Sequence, residues 1–347
     1  MLRIGPLSFE LPAVQAALSG YSDRAMRIVA RRWGAELTMA EVILDQLLLL
    51  RGKLRDRMLE IRDDDHPIGG QLMGAEPDQF GRAAAELVDH GYDLVDINFG
   101  CPVKKVLGRC RGGYLLTTPT AALDIVKSVL DHVGGRKPVT VKMRRGFDDS
   151  ADSERNFFDI LDGAFALGVA SITVHGRTVQ QRYVGPSNWE FLKKVKLHAG
   201  SKTILGSGDV FAPEDLTAMM AETGVDGAWV ARGAIGNPFI FRETAALLEG
   251  RPLPPPPTIA EQRAALHEHL RLTAEVYGPE RAGVVMRKVC IRYADLHPLD
   301  EQVRQSFIQA RTSQDVETAL ARWYDPETTW PEVRRVERGA SVAALAE

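Results

Sequence analysis

Cys101 stands between Gly100 and Pro102, three residues after Asn98, where the apolar run Leu94-Val95-Asp96-Ile97 breaks into a Gly- and Lys-rich loop. The run reads as a short buried strand that ends in an amide and a thiol. The C-terminal mouth of a strand is where α/β proteins hold reactive groups. Taken alone, the same residues are equally a small buried side chain among turn formers. Other chemically capable residues close similar runs. Gln71 ends one, Lys142 and Arg144 end another, and His175 and Arg177 a third; Gly206-Ser207-Gly208-Asp209 and Ala231-Arg232-Gly233 follow two more. Each by itself is an ordinary solvated side chain or turn, and their shared position is what points to a site.

The elements that must position them repeat one theme, a short apolar run, a helical pattern and a Gly turn. The strand-like runs are Val14–Leu18, Glu36–Ala40, Ile68–Leu72, Leu94–Phe99, Val139–Met143, Ser171–His175, Thr203–Gly206 and Gly227–Val230. Helical patterns lie between most of them, as at Asp78–His90, Thr120–Val133, Asp152–Leu167 and Pro213–Thr223. This alternation calls for a parallel sheet, and its size matches a (β/α)8 TIM barrel over residues 1–247. A doubly wound open sheet is the other solution, but no G-x-G-x-x-G follows the first strand. Residues 248–257 hold four successive prolines and predict a stiff linker. Residues 258–347 predict a small all-helical C-terminal domain, with helices over Ala260–Tyr277, Ala282–Leu296, Gln302–Gln309 and Ser313–Trp323.

Bulk properties narrow the function. The net charge is −3 in 347 residues, so nucleic acid could bind only at a local basic patch. Three cysteines without a C-x-x-C pair make a disulfide framework, a structural zinc or an iron–sulfur cluster unexpected, and no metal site is assigned. No N-terminal stretch reads as a signal peptide and no apolar run approaches a membrane span, so a cytoplasmic protein is expected.

Glycine loops after the last two barrel strands are a recurring phosphate site. Gly208, Arg232 and Gly233 fit a phosphate, and with Lys142 and Gln71 further round the mouth they suggest FMN lying across the barrel. A lysine beside the flavin N1/O2 edge would stabilise the anionic reduced ring.

The block D-x-N-F-G-C-P-x-x-K-V at Asp96–Val106, with Val141-Lys142-Met143-Arg144, Val174-His175-Gly176-Arg177-Thr178 and Ala231-Arg232-Gly233-Ala234, resembles the tRNA-dihydrouridine synthases. The resemblance spans residues 4–300 and implies an FMN-dependent TIM-barrel reductase that takes electrons from NADPH or NADH. It implies FMN contacts from Gln71, Lys142, His175, Ser207, Gly208, Arg232 and Gly233, and Cys101 as the acid that protonates C5 of a uracil. Asn98, Lys105, Arg144, Arg177 and Tyr183 would hold the uridine or its surroundings. Arg281, Lys288 and Arg292 fall on one helical face with Arg287 close by, and Arg287, Lys288 and Arg292 would grip tRNA phosphates, although acids outnumber bases in residues 258–347. A monomer is expected.

The sequence also departs from that family. Ala16-Ala17-Leu18-Ser19 replaces Ala-Pro-Met-Ala, Ala40-Glu41-Val42 replaces Thr-Glu-Met, Ser207 replaces Asn, Gly112-Gly113-Tyr114 replaces Gly-Ser-Ala, and Val289 replaces His. Two other functions stay open from sequence: an FMN enzyme acting on a free pyrimidine, and an RNA-binding homologue without flavin.

Overall fold

The computed structural model describes residues 1–338, so the end of the expected helical domain, 339–347, lies outside the described residues. The chain opens with an antiparallel hairpin, β1 (Leu2–Ile4) and β2 (Leu7–Phe9). Parallel strands follow: β3 (Ala13–Gln15), β4 (Leu37–Met39), the two-residue β5 (Ile43–Leu44), β6 (Ile68–Met73), β7 (Leu94–Phe99), β8 (Val139–Arg144), β9 (Ser171–His175), β10 (Ile204–Ser207) and β11 (Gly227–Val230). The pairing runs β3–β4–β6–β7–β8–β9–β10–β11 and back to β3, with β5 added beside the end of β6. This is a closed eight-stranded parallel barrel with helices between the strands, the expected TIM barrel. Sequence patterning missed the hairpin and β5, because two or three residues carry no readable period.

Strand alternation sorts the barrel's two surfaces. Val95, Ile97 and Phe99 of β7 join the cluster that includes Leu87 and Ile125 of the surrounding helices. Leu94 instead joins Val14, Leu37, Met39, Leu205 and Trp229 inside, where Leu2, Ile4 and Phe9 of the hairpin plug one end. Asp96 and Asn98 share the parity of Leu94, so they rise from that apolar floor toward the opposite, C-terminal mouth.

After the prolines, Thr258 caps helix Ile259–Tyr277 in a reciprocal capping box with Glu261. Helices Pro279–Tyr293, Asp300–Gln309 and Ser313–Trp323 follow. The second begins at Pro279, earlier than expected, and its expected end, Ala294–Leu296, is a 3-10 turn. Proline at the first helical position explains the early start, since its missing N–H costs nothing there. These helices share a core of Leu266, Met286, Val289, Tyr293, Phe307 and Leu320, which continues into Ala25, Ile28 and Phe239 of the barrel region. No helix among the described residues is long and apolar enough to cross a membrane.

Candidate active site

A cleft of about 400 Å³ opens at the C-terminal mouth of the barrel. One wall is small and apolar, Ala16, Ala17, Leu18 and Trp229, and the rest is polar, with Gln71, Asn98, Cys101, Lys142, Arg144, His175, Ser207, Gly208, Tyr183, Arg232 and Arg292. The volume is that of a cofactor or small-ligand site.

On the β6–β8 side the polar groups form one hydrogen-bonded chain. Strand register sets Gln71 of β6 and Thr140 of β8 on either side of Asp96 in β7. Thr140 Oγ1 donates to Asp96 Oδ1 at 2.5 Å and Gln71 Nε2 to Asp96 Oδ2 at 2.7 Å. Asn98 Nδ2 donates to Gln71 Oε1 at 2.7 Å, and Asn98 Oδ1 accepts the backbone N–H groups of Gly100 and Cys101 at 2.9 and 3.0 Å. Burial pushes the Asp96 carboxyl up to about 6, against the pull of Thr140, Gln71 and Lys142. It is therefore mainly ionised at neutral pH.

Cys101 is half-buried on the loop these bonds hold. Gly112 lies under it with φ +58°, and a Cβ there would come within 2.8 Å of Cys101 Cβ. A Cβ on Gly113 would meet Val179 at 2.5 Å, which explains why glycine stands where the family resemblance leads one to expect serine. Burial raises the Cys101 thiol above its ordinary value, although the Val103 N–H, Arg144 and Lys142 pull it down. A thiol that keeps its proton at neutral pH can donate it, whereas a nucleophile needs the opposite shift.

On the β9–β11 side the groups are charged. Arg177 is fully buried, and its guanidinium donates to Gly185 O and to both oxygens of Asp209 at 2.7 Å. Asp209, at φ +58°, also accepts the Ser187 N–H at 2.7 Å and lies 3.7 Å from Arg232. His175 Nε2 faces Arg177 Nη1 at 3.3 Å. Burial and the cations Arg144, Lys142, Arg177 and Arg232 drive the His175 imidazole well below its usual value, so it is neutral. With Nε2 accepting, Nδ1 carries the hydrogen. Gly208 bends here at φ +109°, and a Cβ would clash with His175 at 2.8 Å. On Gly233 a Cβ would strike Val210 O at 2.3 Å, so both loops need glycine to close in.

Lys142 lies between the two sides, its ammonium 5.6 Å from the Trp229 ring centroid. Burial and Arg144 lower it to about 8, which leaves it cationic at pH 7. A half-buried cation, a neutral imidazole donor, glycine loops beside Arg232 and a small apolar wall fit a planar, electron-accepting ring with a phosphate tail.

The remaining expected residues divide. Arg144 donates to Gly100 O at 2.9 Å, Thr178 O at 2.8 Å and Arg182 O at 2.6 Å, so it ties the cysteine loop to the β9 loop. With Arg177 buried and saturated, both arginines anchor loops, and Arg177 has no surface to offer a substrate. Tyr183 covers the mouth, its ring 5.4 Å from the Arg144 guanidinium and 5.0 Å from that of Arg232. Lys105 projects outward from the short helix Lys104–Leu107 beside Cys101. Arg292 of the helical region lines the cleft. Lys288 donates to Gly20 O and lies 4.8 Å from the Tyr21 ring centroid, so its charge is directed at the barrel. Arg287 is half-buried on the same helix.

Sequence reasoning passed over Asp96 and Trp229 as site residues, and set Asp209 at a strand end without giving it a role. Asp96 carried a signal, a carboxylate inside an otherwise apolar strand, which folding leaves in place only with partners.

Residues 14–325 match the family described as dihydrouridine synthase (Dus). A probable tRNA-dihydrouridine synthase of Mycobacterium tuberculosis (strain ATCC 25618 / H37Rv) is 31% identical, over 97% of this chain and 88% of the relative. The tRNA-dihydrouridine synthase B of Xanthomonas axonopodis pv. citri (strain 306) is 32% identical, over 93% and 95%. Among solved structures, histamine dehydrogenase from Rhizobium sp. 4-9 superposes with a TM-score of 0.56 at 15% identity, over 78% of this chain and 50% of that one. The 6-hydroxypseudooxynicotine amine oxidase of Pseudomonas geniculata N1 gives 0.55 at 14%, over 76% and 52%. The chain spans about half the length of these two structures, and at such identity the likeness shows the barrel fold alone.

Proposed function

The chain belongs to the dihydrouridine synthase family of flavin-dependent oxidoreductases, and from that premise we propose that it reduces the C5–C6 double bond of specific tRNA uridines to 5,6-dihydrouridine. The observation that supports this reading is the single cleft shared by a proton-holding thiol, a half-buried lysine and paired glycine loops. FMN is the flavin that suits it: Gly208, Arg232 and Gly233 would take the phosphate, and Gln71, Lys142, His175 and Ser207 the ring and its side chain. When bound, the flavin supplies hydride to C6 of the uracil and is reloaded by NADPH or NADH.

The protein's own residues do the rest. Lys142, still protonated at pH 7, stabilises negative charge at the ring edge. The neutral His175 offers an N–H without adding charge. Asn98 orients the uracil, and Cys101 Sγ–H gives C5 its proton, the thiolate being reprotonated from solvent. Tyr183 and Arg292 line the cleft through which an extruded uridine must come, and Lys105 and Arg287 would meet the RNA outside it. Residues 1–247 would act as the catalytic domain, 248–257 as a linker, and the helices from 258 onward as the RNA-binding domain of a cytoplasmic monomer.

The test is a position-by-position map of dihydrouridine in RNA from a strain lacking the gene, repeated with wild type or Cys101→Ala restored. Loss of dihydrouridine at a tRNA D-loop position, restored by wild type alone, is expected. A map with no changed tRNA position would overturn the reading, and reduction of free uracil by the purified protein would replace it with a pyrimidine reductase.

A further inference from the structure

We propose that Asp96 is a positioning residue whose carboxylate fixes the direction of the hydrogen-bond chain that holds the Cys101 loop. The inference rests on the proposed role of Cys101 as proton donor, but the chain itself is a matter of geometry. It has two ends of fixed polarity. At one end the ionised Asp96 can only accept, and it does so from Thr140 and Gln71. At the other the backbone N–H groups of Gly100 and Cys101 can only donate, and both reach Asn98 Oδ1. Two side-chain amides link the ends, and each has one orientation that satisfies both neighbours. Gln71 must turn Nε2 to Asp96, which leaves Oε1 for Asn98; Asn98 must then spend Nδ2 on Gln71, which leaves Oδ1 for the loop. Its side chains are nearly or fully buried, with Asp96 at 0%, Gln71 at 1% and Asn98 at 8% exposure, so water is a poor substitute for a missing side-chain partner.

Reversing one end therefore reverses everything between. In Asp96→Asn, a Thr140 hydroxyl that keeps donating takes the new carbonyl, and the new amide then donates toward Gln71; were Thr140 to accept from the new amide instead, its buried hydroxyl hydrogen would lose the one acceptor it has among the described residues. Gln71 must flip to accept, then faces Asn98 with its own amide. Asn98 flips in turn and sets its N–H₂ against the N–H groups of Gly100 and Cys101. Donor meets donor, and the loop carrying the thiol loses its hold. The swap Asp96→Asn/Asn98→Asp ends this conflict. The reversed chain then runs from the new amide at position 96 through Gln71 to the new carboxylate at position 98, whose second oxygen again accepts the two loop amides.

The experiment is amide hydrogen exchange on the purified protein over residues 97–106, with the rate of dihydrouridine formation measured alongside. Asp96→Asn is expected to accelerate exchange at Gly100 and Cys101 at least tenfold, leave β9–β11 protected and lower kcat more than KM for tRNA changes. The swap is expected to restore protection at both amides. Thr140→Val, which leaves the carboxylate an acceptor, is expected to keep them protected. Unchanged exchange in Asp96→Asn overturns the proposal, as does a swap that leaves the amides exposed. If Asp96→Asn alone does not fold, the double variant decides. Its recovery of soluble protein with protected loop amides supports the reversed chain, and its failure overturns it. Should wild type reduce no uridine, the functional reading falls while the exchange result still stands.

Discussion

The two halves of the mouth use different kinds of chemistry to hold their loops. On the β6–β8 side, neutral amides relay one buried carboxylate to the backbone of Cys101. On the β9–β11 side, Asp209 is shared by the buried Arg177 and by Arg232, and no neutral amide intervenes. The first arrangement fixes direction without bringing net charge to the thiol, which burial can then keep protonated. The second gathers cations at glycine loops, which favours an anion and adds to the burial that keeps His175 neutral. Arg144 bonds to loops of both halves and sets their spacing.

The comparison breaks most sharply at Cys101. If the first half exists to supply a proton, Cys101→Ala should lower kcat for dihydrouridine formation by ~10²–10⁴-fold. Bound flavin, measured by absorbance, should stay unchanged, because Cys101 is not among the residues proposed to hold it. Loss of flavin from this variant would show that the halves do not work separately. Asp209→Asn is the corresponding change opposite. It leaves the Arg177 charge buried without a full counter-charge and is expected to cost about 3 kcal/mol of unfolding free energy, read by denaturant titration. Flavin should dissociate more easily, while exchange at Gly100 and Cys101 stays slow.

Lys142, between the halves, gives a smaller effect with a sign that can be checked. Its folded-state value is lowered from 10.5 to about 8. As pH rises through 8 the charge is lost, so flavin affinity should fall there, well before an ordinary lysine titrates. Between about 8 and 10.5 the unfolded chain binds the extra proton, so the Lys142 contribution to flavin-free stability should rise with pH over the same interval. Flavin fluorescence and thermal melts across this range should move in opposite directions, and Lys142→Met should abolish both trends.

The barrel and the strand ends that line the cleft were legible because a closed parallel sheet forces side chains to alternate and puts strand C-termini on one rim. Asn98, Cys101, Lys142 and His175 could be located from that rule alone. What a charged side chain spends its charge on was not legible. Arg177 and Lys288 look like free cations in sequence, yet one is consumed by Asp209 and the other by Gly20, partners 32 and 268 residues away. The Asp96 chain was hidden for a related reason, since its links join three strands and only the register brings them level.

The smallest expected effect separates two cations on one helix. Lys288 bonds to Gly20 O, and Gly20 N donates to Glu41, so this lysine ties helix Pro279–Tyr293 to the loop that carries Leu18, Ser19 and Tyr21 to the cleft. A lysine that contacts phosphate releases counterions, and its removal lowers the slope of log K against log salt by about 1. A lysine spent on a backbone carbonyl releases none. Lys288→Met should therefore leave the salt slope of tRNA binding unchanged and weaken affinity by no more than about 1 kcal/mol, through a looser Gly20 loop. Arg287→Ala, at the neighbouring position, should lower the slope by about 1. A slope lowered by about 1 in both variants would mean that the helix presents both charges to RNA, and that the Lys288–Gly20 bond opens when tRNA binds.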